Sequence, residues 1–207
     1  MSLTVVSTPI GNDLDITHHA LSAIAAADLV IGEERKVTTR FLKSHQLTGR
    51  PIELLNEHSD SEDLIFLAKQ CESKNVVLIS DCGTPGFCDP GAELVDLCHK
   101  KNIPVAVAPG ASSLMAFLTL SGLRLDQFYF RGFIPANNEK RSRSWKDLKP
   151  SLVPFIIMDT PYRLQKTLEE AATHFPNSYG VLGYRLTFED QKLYAEKQMK
   201  YCRTPKD

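Results

Sequence analysis

No apolar run in this chain approaches the roughly 18–20 residues that a membrane-spanning helix requires. The N-terminus also lacks a basic segment leading into an apolar stretch and a small-residue cleavage site. A cytoplasmic protein without a membrane partner is therefore expected. Neither sign of charge dominates: 24 Lys+Arg stand against 25 Asp+Glu, a formal net charge of −1. That balance disfavours non-specific nucleic-acid binding by the whole surface but leaves room for a local basic patch. Common catalytic fingerprints are missing too. No G-x-G-x-x-G follows the first apolar run, and no G-x4-G-K-[ST] or G-x-S-x-G occurs. Nicotinamide, nucleoside-triphosphate and α/β-hydrolase chemistry are weak readings on that ground.

The chain is also poor in metal-ligand spacing. Its five cysteines are Cys71, Cys82, Cys88, Cys98 and Cys202, an odd number without a C-x2-C pair. Cys82, Cys88, Cys98 and His99 follow C-x5-C-x9-C-H, which suits buried or half-buried thiols better than a zinc site. No metal is expected. A chain of 207 residues with 43% hydrophobic side chains can bury a core without disulfides.

What is present is an alternation of short apolar runs with helical patterns. Runs at 3–7, 29–32, 52–55, 76–80 and 104–108 predict strands. Helices are predicted over 17–27, 34–45, 60–72, 92–101 and 111–121, the first with Thr17 as N-cap. Strand–helix alternation implies βαβ units and a mostly parallel sheet. The run Val76-Val77-Leu78-Ile79 is apolar throughout, as expected of a strand covered on both faces. Near Gly122 the pattern restarts. Strands are predicted over 128–133, 153–158 and 179–185, with helices over 138–148 and 161–174; nothing is assigned beyond Thr187. The expected domains are 1–122 and 123–207, both α/β.

Three predicted strands of the first domain run directly into Gly/Pro loops, at residues 8–12, 81–91 and 109–113. Ligands of parallel sheets bind outside the carboxyl ends of the strands. Glycine lets backbone approach a ligand and proline holds a loop in shape. Each loop alone reads equally well as a tight turn; three together favour a site built from main-chain groups.

These loops carry a family resemblance. Thr8-Pro9-Ile10-Gly11-Asn12, with Asp15-Ile16 after it, is similar to the T-P-I-G-N-x-x-D-I opening of ribosomal-RNA methyltransferases in the tetrapyrrole-methylase superfamily. The segment from Ser80 to Gly91 (SDCGTPGFCDPG) resembles that family's S-D-A-G-T-P-x-x-S-D-P-G. Pro109-Gly110-Ala111-Ser112-Ser113 resembles P-G-x-S-A. Ser121-Gly122-Leu123 and Gly132-Phe133-Ile134-Pro135 match two further blocks in order. The likeness runs from Leu3 to about Thr187.

The resemblance implies a two-domain tetrapyrrole-methylase fold with S-adenosylmethionine in a cleft between the domains. It implies donor contacts from Pro9, Ile10, Gly11, Asp81, Cys82, Gly83, Thr84, Pro85, Pro109, Gly110 and Ser112. It also implies a homodimer, and 2′-O-methylation of a cytidine in 16S ribosomal RNA, with the small-subunit RNA as partner. A small tetrapyrrole-like acceptor is a competing reading, although that branch opens with a G-x-G-P-G-D loop. A module that keeps the cleft but only binds is another.

Some blocks depart from the family. E-D-T-R-x-T reads Glu33-Glu34-Arg35-Lys36-Val37-Thr38, H-E-H-N reads Asn56-Glu57-His58-Ser59, and Y-E-S-P-H-R reads Met158-Asp159-Thr160-Pro161-Tyr162-Arg163. The family's closing strand has no match before Asp207. Methyl transfer to a ribose hydroxyl calls for in-line placement and a base or polarising cation. Glu33, Lys36, His58 and Asp89 are the catalytic candidates. Glu33 and Lys36 read equally well as an ordinary helix start, and His58 as a surface histidine. Lys140, Arg141 and Arg143, beside Trp145, are expected to meet RNA phosphates with the indole free to stack, and Arg163 to contact substrate. The same run reads alternatively as a solvated helix face that Trp145 anchors.

Overall fold

A computed structural model describes residues 1–148 and 153–199. Cys202 and the end of the expected second domain lie outside the described residues. The chain divides into two compact units: Met1–Ala116 with Leu186–Glu189, and the remaining described residues from Phe117 onward.

The first unit alternates strand and helix throughout. Its elements are β1 (Ser2–Val6), α1 (His18–Ala25), β2 (Leu29–Gly32), α2 (Arg35–Ser44), β3 (Ile52–Leu54), α3 (Ser61–Ser73), β4 (Asn75–Ile79), α4 (Ala92–Lys100), β5 (Val105–Ala108) and the start of α5 (Ser113–Ser121). Five strands form one sheet in the order β3-β2-β4-β1-β5. Every pairing in it is parallel. Parallel neighbours need a crossover, which here is always a helix. All five carboxyl ends therefore emerge at one edge.

Helices cover both faces, so β2 and the apolar part of β4 are buried on each side. The two-residue period sorts β4 between two cores. Val76 and Leu78 join Leu3, Leu29, Ile31, Leu67 and Leu94 on one face. Val77 and Ile79 join Val6, Ala20, Ile24, Val30 and Leu42 on the other. Cys71 and Cys98 sit within the first core and share a hydrogen bond; burial pushes the Cys71 thiol up to about 12, so it stays protonated.

Side chains mark the helix starts. Thr17 accepts from the Ala20 N–H at 3.0 Å, the cap read from the sequence. Asp60 accepts from the N–H groups of Glu62 and Asp63 while the Asp63 carboxylate accepts from the Asp60 N–H, a reciprocal capping box.

The second unit holds β6 (Tyr129–Phe133) and β7 (Phe155–Met158) as a parallel pair, α6 (Asn138–Asp147), α7 (Pro161–His174), and an antiparallel hairpin of β8 (Gly180–Tyr184) and β9 (Lys192–Glu196). Its core gathers Ile134, Trp145, Leu148, Ala171 and Phe175. β9 lies where nothing was assigned from the sequence. None of its five residues is buried, so its apolar–polar alternation is faint.

Asp60→Ala removes the carboxylate that accepts from the Glu62 and Asp63 N–H groups and is expected to lower stability by about 1 kcal/mol. Leu67→Ala, at a fully buried site, is expected to cost about 3 kcal/mol. Urea denaturation measures both.

Candidate functional site

Three of the strand-end loops follow adjacent strands, β4, β1 and β5, and hydrogen bonds lock them together. The Thr8 N–H donates to the Gly83 carbonyl at 2.8 Å. Its hydroxyl reaches the carbonyls of Ser80 and Gly83 at 3.2 and 3.3 Å. Thr84 donates its single hydroxyl proton to the Ala111 carbonyl at 3.2 Å, so the 2.8 Å contact with Ser7 has the Ser7 hydroxyl as donor. One chain of hydroxyls thus joins the loops after β1, β4 and β5.

The glycines permit this closeness. Gly83 has φ +88°, a conformation costly for other residues, and turns the loop so that its carbonyl meets Thr8. A Cβ on Gly110 would lie 3.0 Å from the Ser7 Cβ. The loop after β5 therefore rests on the loop after β1. Pro9, Ile10 and Gly11 are half-buried beside this junction, Pro85 is buried, and Pro109 and Gly110 are exposed. The Cys82 thiol approaches the Ile10 carbonyl at 3.7 Å. Burial, then the charges of Asp89, Asp81 and Glu33, raise its pKa, which keeps it a neutral thiol.

Carboxylates border the junction. The Asp81 N–H approaches Glu33 Oε2 at 3.5 Å, and the Asp81 carboxylate accepts from the Glu34 N–H at 3.2 Å. The loops after β2 and β4 are thereby linked. Burial raises the pKa of Glu33; the Asp81 N–H opposes it, and Asp89, Asp81 and Glu57 add to it. Asp81 and Asp89 are raised too, first by burial and then through neighbouring carboxylates, with local hydrogen bonds opposing. Such a site welcomes a cation, and its carboxylates are stronger bases than ordinary ones.

The candidates from the sequence fall into distinct groups. The residues proposed for donor contact gather at the loop junction, and Glu33 and Asp89 border it. Lys36 is exposed in the first turn of α2. His58 is exposed on the loop after β3, 3.7 Å from Glu57. Ser7, Thr8, Ser80 and Ala111, which make the bonds between the loops, were not among the expected contact residues. Among the described residues, no three His, Cys, Asp or Glu side chains are grouped to hold a metal ion.

In the second unit, two members of the expected RNA-facing run point inward, which corrects that expectation. Arg141 is 3% exposed and Trp145 2%. Arg141 donates to Glu170 at 2.6 Å and to Thr167 at 2.6 Å, and the Trp145 indole N–H donates to the same Glu170 oxygen at 2.6 Å. Thr167 in turn donates to Asp159. The cation is held by its partners and the indole packs against Phe175. Such an arrangement arises because a buried guanidinium must be paired. Arg163 is also engaged, bonding Asp159 at 2.8 Å and the Ile134 carbonyl at 2.6 Å. Lys140 and Arg143 remain exposed, Arg143 beside Glu139 at 3.6 Å.

Residues 2–198 match the model of a family described as tetrapyrrole (corrin/porphyrin) methylases. The chain is 38% identical over 173 residues to a ribosomal RNA small subunit methyltransferase I of Synechocystis, covering 83% of this chain and 61% of that protein. It is 36% identical to the Rickettsia prowazekii protein of the same name, covering 94% of this chain and 68% of that one. The chain thus spans about two thirds of the length of these relatives. Its fold resembles that of a uroporphyrin-III C-methyl transferase from Thermus thermophilus complexed with S-adenosyl homocysteine: TM-score 0.64, 17% identity, covering 97% of this chain and 89% of that one.

Arg141→Ala, which leaves the Glu170 carboxylate without its cation and with only the Trp145 indole N–H, is expected to destabilise by about 3 kcal/mol, whereas Arg143→Ala should stay within about 0.5 kcal/mol. Asp89→Asn should stabilise at neutral pH. The folded state holds the Asp89 proton more tightly than the unfolded chain, so this group opposes folding as pH rises through its raised pKa. The gain from the amide should vanish as pH falls to the ordinary value of 3.8. Urea titrations across that range measure it.

Proposed function

The chain belongs to the tetrapyrrole methylase family, and from that premise we propose that it transfers a methyl group from S-adenosylmethionine to the ribose 2′-hydroxyl of a cytidine in small-subunit ribosomal RNA. The observation that carries this reading is the interlocked junction of the loops after β4, β1 and β5, bordered by Glu33, Asp81 and Asp89. The names of the relatives support the acceptor.

The residues fit the donor chemically. The junction offers main-chain groups and neutral hydroxyls, and its carboxylates carry raised pKa values that a bound cation would relieve. S-adenosylmethionine supplies a methyl group on a positively charged sulfur, with a neutral thioether as leaving group. The loops would hold the donor and fix its orientation toward the acceptor. Glu33 accepts the proton of the acceptor hydroxyl as the new carbon–oxygen bond forms, and releases it to solvent afterwards. Its raised pKa suits that role better than an ordinary carboxylate would. Asp89 and Asp81 keep the local potential negative toward the sulfonium.

Lys140 and Arg143 are the cations of the former basic run that remain free to meet RNA phosphates. A homodimer is part of the same proposal. β5 is a sheet edge whose Val107 is 57% exposed, and α5, apolar in sequence, has no buried residue, with Met115 59% exposed. A second copy would cover this surface.

Glu33→Gln should lower labelled-methyl transfer to small ribosomal subunits by at least about 100-fold, while calorimetric affinity for S-adenosylmethionine falls far less. Unchanged turnover removes Glu33 from the reaction, and absence of donor binding at millimolar concentration overturns the whole reading. Donor affinity of the parent should weaken as pH falls through the raised carboxyl values, because protonation removes the charges facing the sulfonium. Val107→Glu should shift sedimentation from dimer to monomer.

A further inference from the structure

A polar cavity of about 370 Å³ lies at the same sheet end, beside the loop that follows β3. Arg35 from the start of α2, Glu53 from β3, Asn56, His58 and Ser59 from the loop, and Asp63 from the first turn of α3 line it. The proposed methyl-transfer chemistry does not use it. We infer that this cavity is a subsite for an unpaired nucleobase of the RNA strand, adjacent to the nucleotide that is methylated. The inference rests on the reading of the acceptor as RNA.

The lining favours a neutral heterocycle over a phosphate. Two carboxylates, Glu53 and Asp63, face one guanidinium, so an anion would be repelled. The hydrogen-bonding inventory is mixed, as a base edge requires. Asn56 Oδ1 accepts from the His58 N–H at 3.0 Å, which orients its amide nitrogen as a donor. The Ser59 hydroxyl oxygen accepts from the Asn56 N–H at 3.1 Å and keeps its own proton to give. Arg35 is held by the Ile52 carbonyl at 3.1 Å, which aims a planar donor at the same place. Carboxylates supply acceptors for amino groups of a base.

One exposed aromatic residue follows Asp63 on the same helix. Phe66 is 47% exposed and lies three residues after Asp63 on α3, so the two share a helix face. An exposed phenyl within one helical turn of a lining residue is available to stack on an unpaired base.

The cavity sits past β2, while the proposed donor junction sits on β4, β1 and β5. With strands about 4.8 Å apart, the separation along the sheet end is on the order of 10 Å. A neighbouring nucleotide of one extended strand spans such a gap. Glu57, on the cavity loop, is close enough to contribute to the raised pKa of Glu33.

Asn56→Asp keeps the acceptor for His58 and removes the amide donor; Phe66→Ala removes an exposed ring. Each is expected to weaken binding of a short fluorescein-labelled, cytidine-containing single-stranded RNA by about tenfold. Calorimetric affinity for S-adenosylmethionine should not change. The same strand built with abasic riboses should bind parent and variants alike, and more weakly than the base-bearing strand binds the parent. If both variants bind the base-bearing strand as the parent does, or the abasic strand matches it on the parent, the subsite is wrong while donor binding and methyl transfer stand. If the parent binds neither strand, the subsite and the RNA acceptor fall together. A loss of donor affinity in either variant would also overturn the assignment, because the cavity would then serve the donor.

Discussion

Thr8 holds the strand ends together. Its amide and its hydroxyl both bind the loop after β4, and the neighbouring Ser7 hydroxyl passes through Thr84 to the loop after β5. These bonds are possible only because β4, β1 and β5 are adjacent and parallel, so their loops leave one edge side by side. Ser7 and Thr8 are buried, where each unpaired polar group would cost roughly 1–3 kcal/mol. The geometry of the loops is therefore coupled to the packing of the sheet. A distortion in the cores beneath would reach the proposed donor contacts through this small set of hydroxyls.

Above that junction the structure tolerates electrostatic repulsion. Glu33, Asp81 and Asp89 border the same junction, and burial, followed by the charge of neighbouring carboxylates, pushes all three upward. Local hydrogen bonds from backbone and Ser80, and the Arg40 charge near Asp81, offset this in part. A purely structural site would sooner replace one carboxylate with an amide. Retained repulsion at a strand-end cluster is what a cation-binding, proton-accepting site needs. The same logic separates the second unit, where, among the described residues, the deeply buried Arg141 and Asp159 are both paired. Arg141 meets Glu170, and Arg163 meets Asp159. There the polar network ties α6 to α7, while Lys140 and Arg143 face solvent.

The block at 158–163 gains a physical account from this network. Asp159 receives Arg163 and Thr167, and Thr167 receives Arg141. The shorter carboxylate stands where the resembling family has Glu, yet it still closes the chain of bonds to the Ile134 carbonyl through Arg163. Its departure from the family pattern is thus accommodated within the unit.

Much was legible in the residues themselves. Alternating apolar runs and helical periods placed every strand of the parallel sheet, most plainly β4, whose burial on both faces demands a continuous apolar segment, Val76-Val77-Leu78-Ile79. The Thr17 cap and the Gly/Pro loops were visible for the same local reasons. Other features were invisible there. Strand β9 escaped because it buries nothing. The inward turn of Arg141 and Trp145 depends on Glu170 and Thr167, some 25 to 29 residues away, which no local pattern encodes. The interlock of Ser7, Thr8, Thr84 and Ala111, and the cavity beside Asn56, join segments whose nearness is set by strand order. Local chemistry decides which segments become strands, helices and turns. Which side chains then share a buried hydrogen bond or crowd their charges is settled only when the sheet is assembled.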